Sequence, residues 1–214
     1  MRSSVLLLLI GCGVTQDVPG DEETLDYSSL PFATEVIDFQ PGEGSGYGES
    51  RLPDIVLGPP KGGGEFNGSS DVLSLGRGGE VTLSFSPRDC VDGDGPDFVV
   101  FENAFRVRGA SGQSFQELGS VSVSEDGESW LTFDCEPGAT GEPQPGCAGW
   151  SPVLINGLAA STPLDPSRSG GDAFDLADLG LEQIRFVRIR DLSNSGDAPT
   201  AGFDLDAVGL VHFR

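Results

Sequence analysis

Cationic side chains are scarce in this sequence: Lys and Arg number 12 against 34 Asp and Glu, a formal net charge of −22 at pH 7. Phosphate recognition needs clustered cations that release counterions, so this balance argues against a nucleic-acid partner and favours solubility and hard cations. Histidine is scarcer still. His212 is the only one, so neither a zinc site of several histidines nor a Cys/His nucleophile pair is well supplied, and a surface or sheet-edge place is expected for it. Aromatic residues make up only 8% of the chain. Long apolar runs are missing too: the clearest, residues 5–10, is far short of the ~20 residues that span a bilayer. Residues 75–80, LGRGGE, lack the Lys and Ser/Thr that complete a phosphate loop and read instead as a turn before a strand.

What is present is turn-rich. With 32 Gly and 15 Pro in 214 residues, the composition suits one domain of short strands. Val81, Leu83 and Phe85 alternate with Thr82, Ser84 and Ser86, the period-2 pattern of a half-buried strand. Further strands are expected over residues 35–39, 97–103, 120–125, 129–134, 184–191 and 203–213, with Asp126-Gly127 as a hairpin turn. Only residues 172–180 suggest a helical turn, with Asp172 as cap and Gly180 as stop. The expected fold class is all-β: a two-sheet β-sandwich of jelly-roll type with long loops and one short helical turn.

The N-terminus carries a targeting signal. Arg2, the apolar run and the sequence Leu9-Ile10-Gly11-Cys12 resemble the leader and lipobox of bacterial lipoproteins, in which the cysteine is lipidated and becomes the new N-terminus. The resemblance implies a membrane partner through a lipid on Cys12, and Gly13, in place of a retaining Asp, favours the outer membrane or cell surface. Residues 13–31, with Asp17, Asp21, Glu22, Glu23 and Asp26, read as a disordered acidic tether, leaving residues 32–214 as the domain. Cysteine usage agrees with export. Cys135 and Cys147 bracket a Gly/Pro-rich segment and are expected to form a disulfide, contributing roughly 3 kcal/mol in the chain-entropy model. Cys90 is then left over, for burial or for another chain.

The runs VLGPPKGGG, DVLSLGRGGEVTLSF, GPDFVVFENAF, VSVSEDGESW, GGDAFDLADLG, RFVRIRDL and GFDLDAVGLVHF together resemble a family of bacterial cell-surface proteins with a galactose-binding-like, discoidin-like jelly roll. The resemblance covers nearly everything after residue 33. It implies a secreted or surface-anchored β-sandwich, often with bound calcium and with no established catalytic activity, and it supplies no ligand.

The carboxylates are the candidate metal ligands. Asp92, Asp94 and Asp97 alternate with glycines in DGDGPD, which lets a tight loop aim several oxygens at one centre; no EF-hand frame surrounds them. Glu102 and Asn103 close the strand that Asp97 opens and are further oxygen donors if the chain turns back. The plain alternative is an Asp-rich turn bonding its own backbone. Asp204 and Asp206, two apart, belong on one face of the last strand, where burial is costly without pairing or metal. In calcium-binding jelly-roll carbohydrate modules, which this ending resembles, a final-strand aspartate joins a first-strand carboxylate at a structural calcium, a place that Glu35 or Asp38 would fill here. Salt bridges to Arg185, Arg188 or Arg190 are the competing account. Asp172, Asp175 and Asp178, each three apart, fall on one side of a helical turn.

Trp130 is expected on the sandwich core and Trp150 to be the better ligand-binding candidate, with Tyr47, Phe66 and Phe105 near loops. The function expected is that of a calcium-stabilised, non-catalytic binding or adhesion module for a surface glycan or protein. A purely structural envelope protein is the alternative, and a carboxylate-dependent glycosidase is a lesser one, since it needs two carboxyls facing across a cleft.

Overall fold

Alternating apolar residues build strands where the sequence pattern places them, and the computed structural model describes residues 30–109, 114–138, 143–157 and 164–214. The leader, Cys12 and residues 13–29 of the tether lie outside the described residues. The first strands are β1 (Glu35–Gln40), β2 (Leu73–Ser74), β3 (Glu80–Ser84), β4 (Cys90–Val91), β5 (Phe98–Glu102), β6 (Phe105–Arg106) and β7 (Ser114–Phe115). They are followed by β8 (Gly119–Ser124), β9 (Leu131–Thr132), β10 (Cys147–Ala148), β11 (Asp172–Phe174), β12 (Gln183–Ile184), β13 (Phe186–Asp191) and β14 (Asp204–Leu210). One sheet runs β1-β3-β13-β8-β10 with β9 also on β8, the other β11-β5-β14-β2; β4 pairs with β12 and β6 with β7. The chain passes back and forth between the two sheets, β1 to β2 to β3 to β5 to β8 and then β11 to β13 to β14, the wrapping expected of an all-β sandwich.

Between the sheets, Val81, Leu83, Val121, Val123, Val187 and Ile189 meet Phe98, Val100, Leu205, Val208 and Leu210 in one apolar core. Each side chain so buried contributes about 1.5–3 kcal/mol relative to exposure. Val99, Phe101 and Ala207 take the opposite face of the second sheet, under Phe32, Val153 and Leu164. The period of two therefore turns Phe98, Val100 and Glu102 to the same inner side of β5.

The Asp126-Gly127 turn forms as expected: Asp126 accepts the N–H groups of Ser129 (2.7 Å) and Glu128 (2.8 Å), which hold its carboxyl down at about 2. The strand after it shrinks to β9. Trp130 is not in the core: its ring lies under the Arg188 guanidinium, 3.7 Å from the ring centroid, on the outer face of the first sheet. The hairpin turn spends residues that the sequence pattern assigned to the strand, and this puts the indole on the polar side. The helical turn also shifts. Asp172 belongs to β11, and the 3-10 turn Leu176–Leu179 is capped by Asp175 and stopped by Gly180 in the left-handed region.

Cys135 and Cys147 form the expected disulfide, while Cys90 is free and buried, its thiol pushed up by burial and by the nearby Asp97.

Candidate functional site: two carboxylate groups at opposite ends of the sandwich

Carboxylates collect where strands end. At one end, β5 begins and β14 finishes, and Asp97 is fully buried between them. One of its oxygens, Oδ1, accepts from Gly93 N (2.8 Å) and from His212 Nδ1 (2.8 Å), and the other, Oδ2, accepts from Leu176 N (2.7 Å). Asp97 thus ties the DGDGPD loop, the end of β14 and the 3-10 turn to one point. His212, expected at a surface, buttresses that point, and Gly93 permits it, because a Cβ there would stand 2.4 Å from the imidazole ring. Asp92, Asp97 and Asp175 each offer a ligand atom within 4.8 Å of the others, the one such group among the described residues. Two of the DGDGPD carboxylates therefore meet a third from GGDAFDL. Asp94 is exposed and stays outside the group.

Glu102 does not join Asp97. The two flank β5, and at ~3.4 Å per residue the strand holds them roughly 17 Å apart. The sequence reading required the chain to turn back, and it runs straight.

At the far end of β5 a second group forms. Glu102 is fully buried, and neither carboxylate oxygen has a hydrogen-bond partner among the described residues. The Asn103 N–H is near enough to favour the charge but completes no hydrogen bond. Burial first, then Asp204, push the Glu102 carboxyl well above its ordinary value, and Glu117 and Asp172 add to this. Asp204, at the start of β14, accepts from Ser74 Oγ and, at 3.4 Å, from Asn103 Nδ2; burial raises it as well. Glu117 enters from the segment before β8 and accepts from Ser195 Oγ (3.0 Å). Burial, then Asp204, push Glu117 up to about 7. Asp172 is pushed to about 7 by burial, opposed by the N–H groups of Gly149 (2.6 Å), Trp150 (3.1 Å) and Ser151 (3.1 Å), which its carboxylate accepts. Asp191 closes the same end of β13, accepting from Gly78 N (2.9 Å), Ser193 N (3.1 Å) and Phe203 N (2.8 Å).

Several expected partnerships dissolve in this arrangement. Asp204 and Asp206 do not share surroundings, because a register shift between Leu205 and Ala207 breaks the two-residue rule. Asp206 turns to Lys61 N, which donates to both its oxygens at 2.9 and 3.0 Å, and burial holds its carboxyl up at about 7. Glu35 and Asp38 do not come to either aspartate: β1 is the edge of the other sheet, where Glu35 accepts from Ser84 Oγ (2.7 Å) and Asp38 from Gln40 Nε2 (2.8 Å). The arginine account fails too. Arg185 pairs with Asp89 (2.7 Å) and Arg188 with Glu80 (3.3 Å). Asp172, Asp175 and Asp178 do not line one side of a turn: a strand carries the first, a cap the second, and Asp178 is exposed.

Trp150 lies half-buried on the segment whose amides Asp172 gathers. That segment follows β10 and the disulfide, and it passes so close to Glu117 that a Cβ on Gly149, at φ 93°, would stand 2.1 Å from the Glu117 carbonyl oxygen. The gathering of Glu117 and Asp191 at this end and the Asp97–His212 contact carry no sequence signal; they arise from pairings between distant elements.

The fold and the two groups define an all-β sandwich with carboxylates at both strand ends. No protein-family profile matches the chain, and a search of curated proteins gives no match. Among solved structures the chain is similar to the C-terminal domain of a chitobiase from Bacteroides fragilis, at 13% identity and TM-score 0.36, over 82% of this chain and 91% of that one. It is also similar to a glycoside hydrolase at 11% identity and TM-score 0.34, over 94% of this chain and 34% of that one, so it spans about a third of that protein's length.

Proposed function

We propose that this protein is a non-catalytic binding module, exported and held to a membrane by lipid on Cys12, that calcium stabilises and that recognises a glycan or protein through loops at the end of its sandwich. The observation that carries the proposal is the convergence of Asp92, Asp97 and Asp175 within 4.8 Å, from two separate loops. Three carboxylates brought this close repel one another unless a cation lies among them, and an all-oxygen set suits a hard cation such as calcium, with water completing the shell. Asp97 is the rigid member, since three donors fix it, while Asp92 is exposed and free to adjust. Calcium there would lock the DGDGPD loop to GGDAFDL. Trp150 is the ligand-binding candidate, an aromatic ring on a segment fixed by Asp172 and supported by the disulfide.

Calcium at about 100 times its Kd should stabilise the protein by about 2.7 kcal/mol per site. That raises Tm by roughly 5–10 °C at about 2–4 °C per kcal/mol for a domain of this size. Asp92→Asn should remove much of the increment. A melting curve unchanged at saturating calcium would reject calcium stabilisation. The anchor is tested separately: radiolabelled fatty acid should enter the protein in its bacterial host and be lost from Cys12→Ala, and equal labelling of the two would refute lipidation at that residue.

A further inference from the structure

The Glu102 carboxylate is buried beyond contact with solvent, both of its oxygens lack a hydrogen-bond partner among the described residues, and three more acidic side chains press on it. Such a group is the costliest kind to bury: a carboxylate removed from water without donors or a countercharge. No arginine or lysine is among the charges that act on it; all of them, Asp204, Glu117 and Asp172, are negative. The β-sheet nevertheless fixes it there. Glu102 follows Phe98 and Val100 on the inner side of β5 and pairs with Leu205 of β14, so it cannot swing to solvent without breaking the register of the central strands.

We infer that this end of the sandwich holds a second calcium ion, with the two free oxygens of Glu102 as its core and Asp204 and Glu117 as the flanking carboxylates. The surroundings supply what such a site needs. Asp204 is positioned by Ser74 Oγ and Asn103 Nδ2, and Glu117 by Ser195 Oγ, so each flanking carboxylate is held by a neutral donor and neither is neutralised by a cation of the protein. Asn103 is itself held by Ser69 N, which fixes the loop above β5. The donor set is oxygen only, the set that hard cations take. Its oxygens stand farther apart than those of Asp92, Asp97 and Asp175, so calcium would draw Asp204 and Glu117 inward and join the end of β5, the start of β14 and the segment before β8 through one centre. The site goes beyond the acidic-loop site above and does not depend on it: the two lie at opposite ends of β5.

The test is calcium titration calorimetry on the calcium-depleted full chain in an Asp92→Asn background, which silences the loop site. The expected result is one remaining equivalent of calcium, whose affinity falls on adding Glu102→Gln by at least the ~10–100-fold that outer-shell changes cost at metal sites. Asp204→Asn should act in the same direction and serves if Glu102→Gln does not fold. In the wild type, calcium should also slow amide exchange at Asn103 and Leu205. Loss of all calcium binding in Asp92→Asn would overturn the second site while leaving the loop site standing; binding undiminished by Glu102→Gln and by Asp204→Asn would overturn this ligand assignment.

Discussion

Replacing Asp97 with alanine should lower the stability of this protein by about 3–5 kcal/mol, the range for removing one partner from a buried charged network. Three segments lose their common acceptor at once. Gly93 N, Leu176 N and His212 Nδ1 then have no acceptor, and His212 has a vacancy beside it where the carboxylate stood. For a domain of this size the change amounts to roughly 10 °C in Tm at about 2–4 °C per kcal/mol. Asp97→Asn keeps the shape but presents an amide N–H₂ to donors, so it should recover only part of the loss. Asp94→Ala, at an exposed position in the same loop, should stay within about 0.5 kcal/mol of the wild type. Chemical denaturation with all three variants decides the matter; an Asp97→Ala protein as stable as Asp94→Ala would show that the loop does not hang on this carboxylate.

The second large effect is the pH dependence in the presence of a chelator. Glu117 is raised from 4.5 to about 7, and Asp172 and Asp206 from 3.8 to about 7, each chiefly by burial. A folded-state value above the unfolded one means that the native state binds the extra proton, so stability is fully present below the unfolded value and is lost as pH rises through the folded one. The window therefore runs from about 4 to about 7. At 1.36 kcal/mol per pH unit, a carboxyl moved from 3.8 to about 7 corresponds to roughly 4 kcal/mol. The value for Asp172 already includes the three N–H groups that oppose its burial, and carboxyls that act on one another do not add independently, so the total is several kcal/mol, not the full sum. The exposed Asp126 and Asp165 have the opposite sign: their carboxyls are lowered by local hydrogen bonds, and what they contribute is lost as pH falls. Without a divalent cation, Tm should thus peak in mildly acidic solution and fall toward neutrality. Calcium should flatten part of the neutral side of the curve, because it would hold Glu117, one of the three carboxylates that lose their protons there. A Tm that climbs steadily from pH 4.5 to 7.5 in chelator would contradict the sign derived from these buried carboxyls.

The β-sandwich was legible because its signals are local. Val81 and Leu83 of β3, and Phe85 just after it, alternate with small polar residues and enter the core, and Asp126-Gly127 makes its turn with bonds that span two or three residues. The disulfide was equally local, its cysteines standing 12 positions apart in sequence. For the candidate sites, the structure brings some of the expected carboxylates together and separates others. Asp97 meets His212, 115 residues away, and Asp175 reaches it through a cap that the sequence pattern had assigned to Asp172. Asp204 and Asp206 were read as one site from their spacing, yet a single irregularity in the ladder with β5 sends them to Ser74 and Asn103 in one case and Lys61 in the other. Glu117 lies in a segment with no motif and Asp191 at the end of an expected strand, and only the pairing of β8 with β13 brings the two together. Spacing in sequence predicts a shared face only while the register is unbroken, and carboxylates here gather where the register ends.

Calcium titration calorimetry of the metal-depleted wild-type protein near pH 7.5 is the most direct measurement of whether these carboxylates hold cations. Two equivalents should bind, one lost in Asp92→Asn and the other in Glu102→Gln. A protein that takes up no calcium at millimolar concentrations would contradict the account, and its buried carboxylates would then have to be neutralised by protons alone.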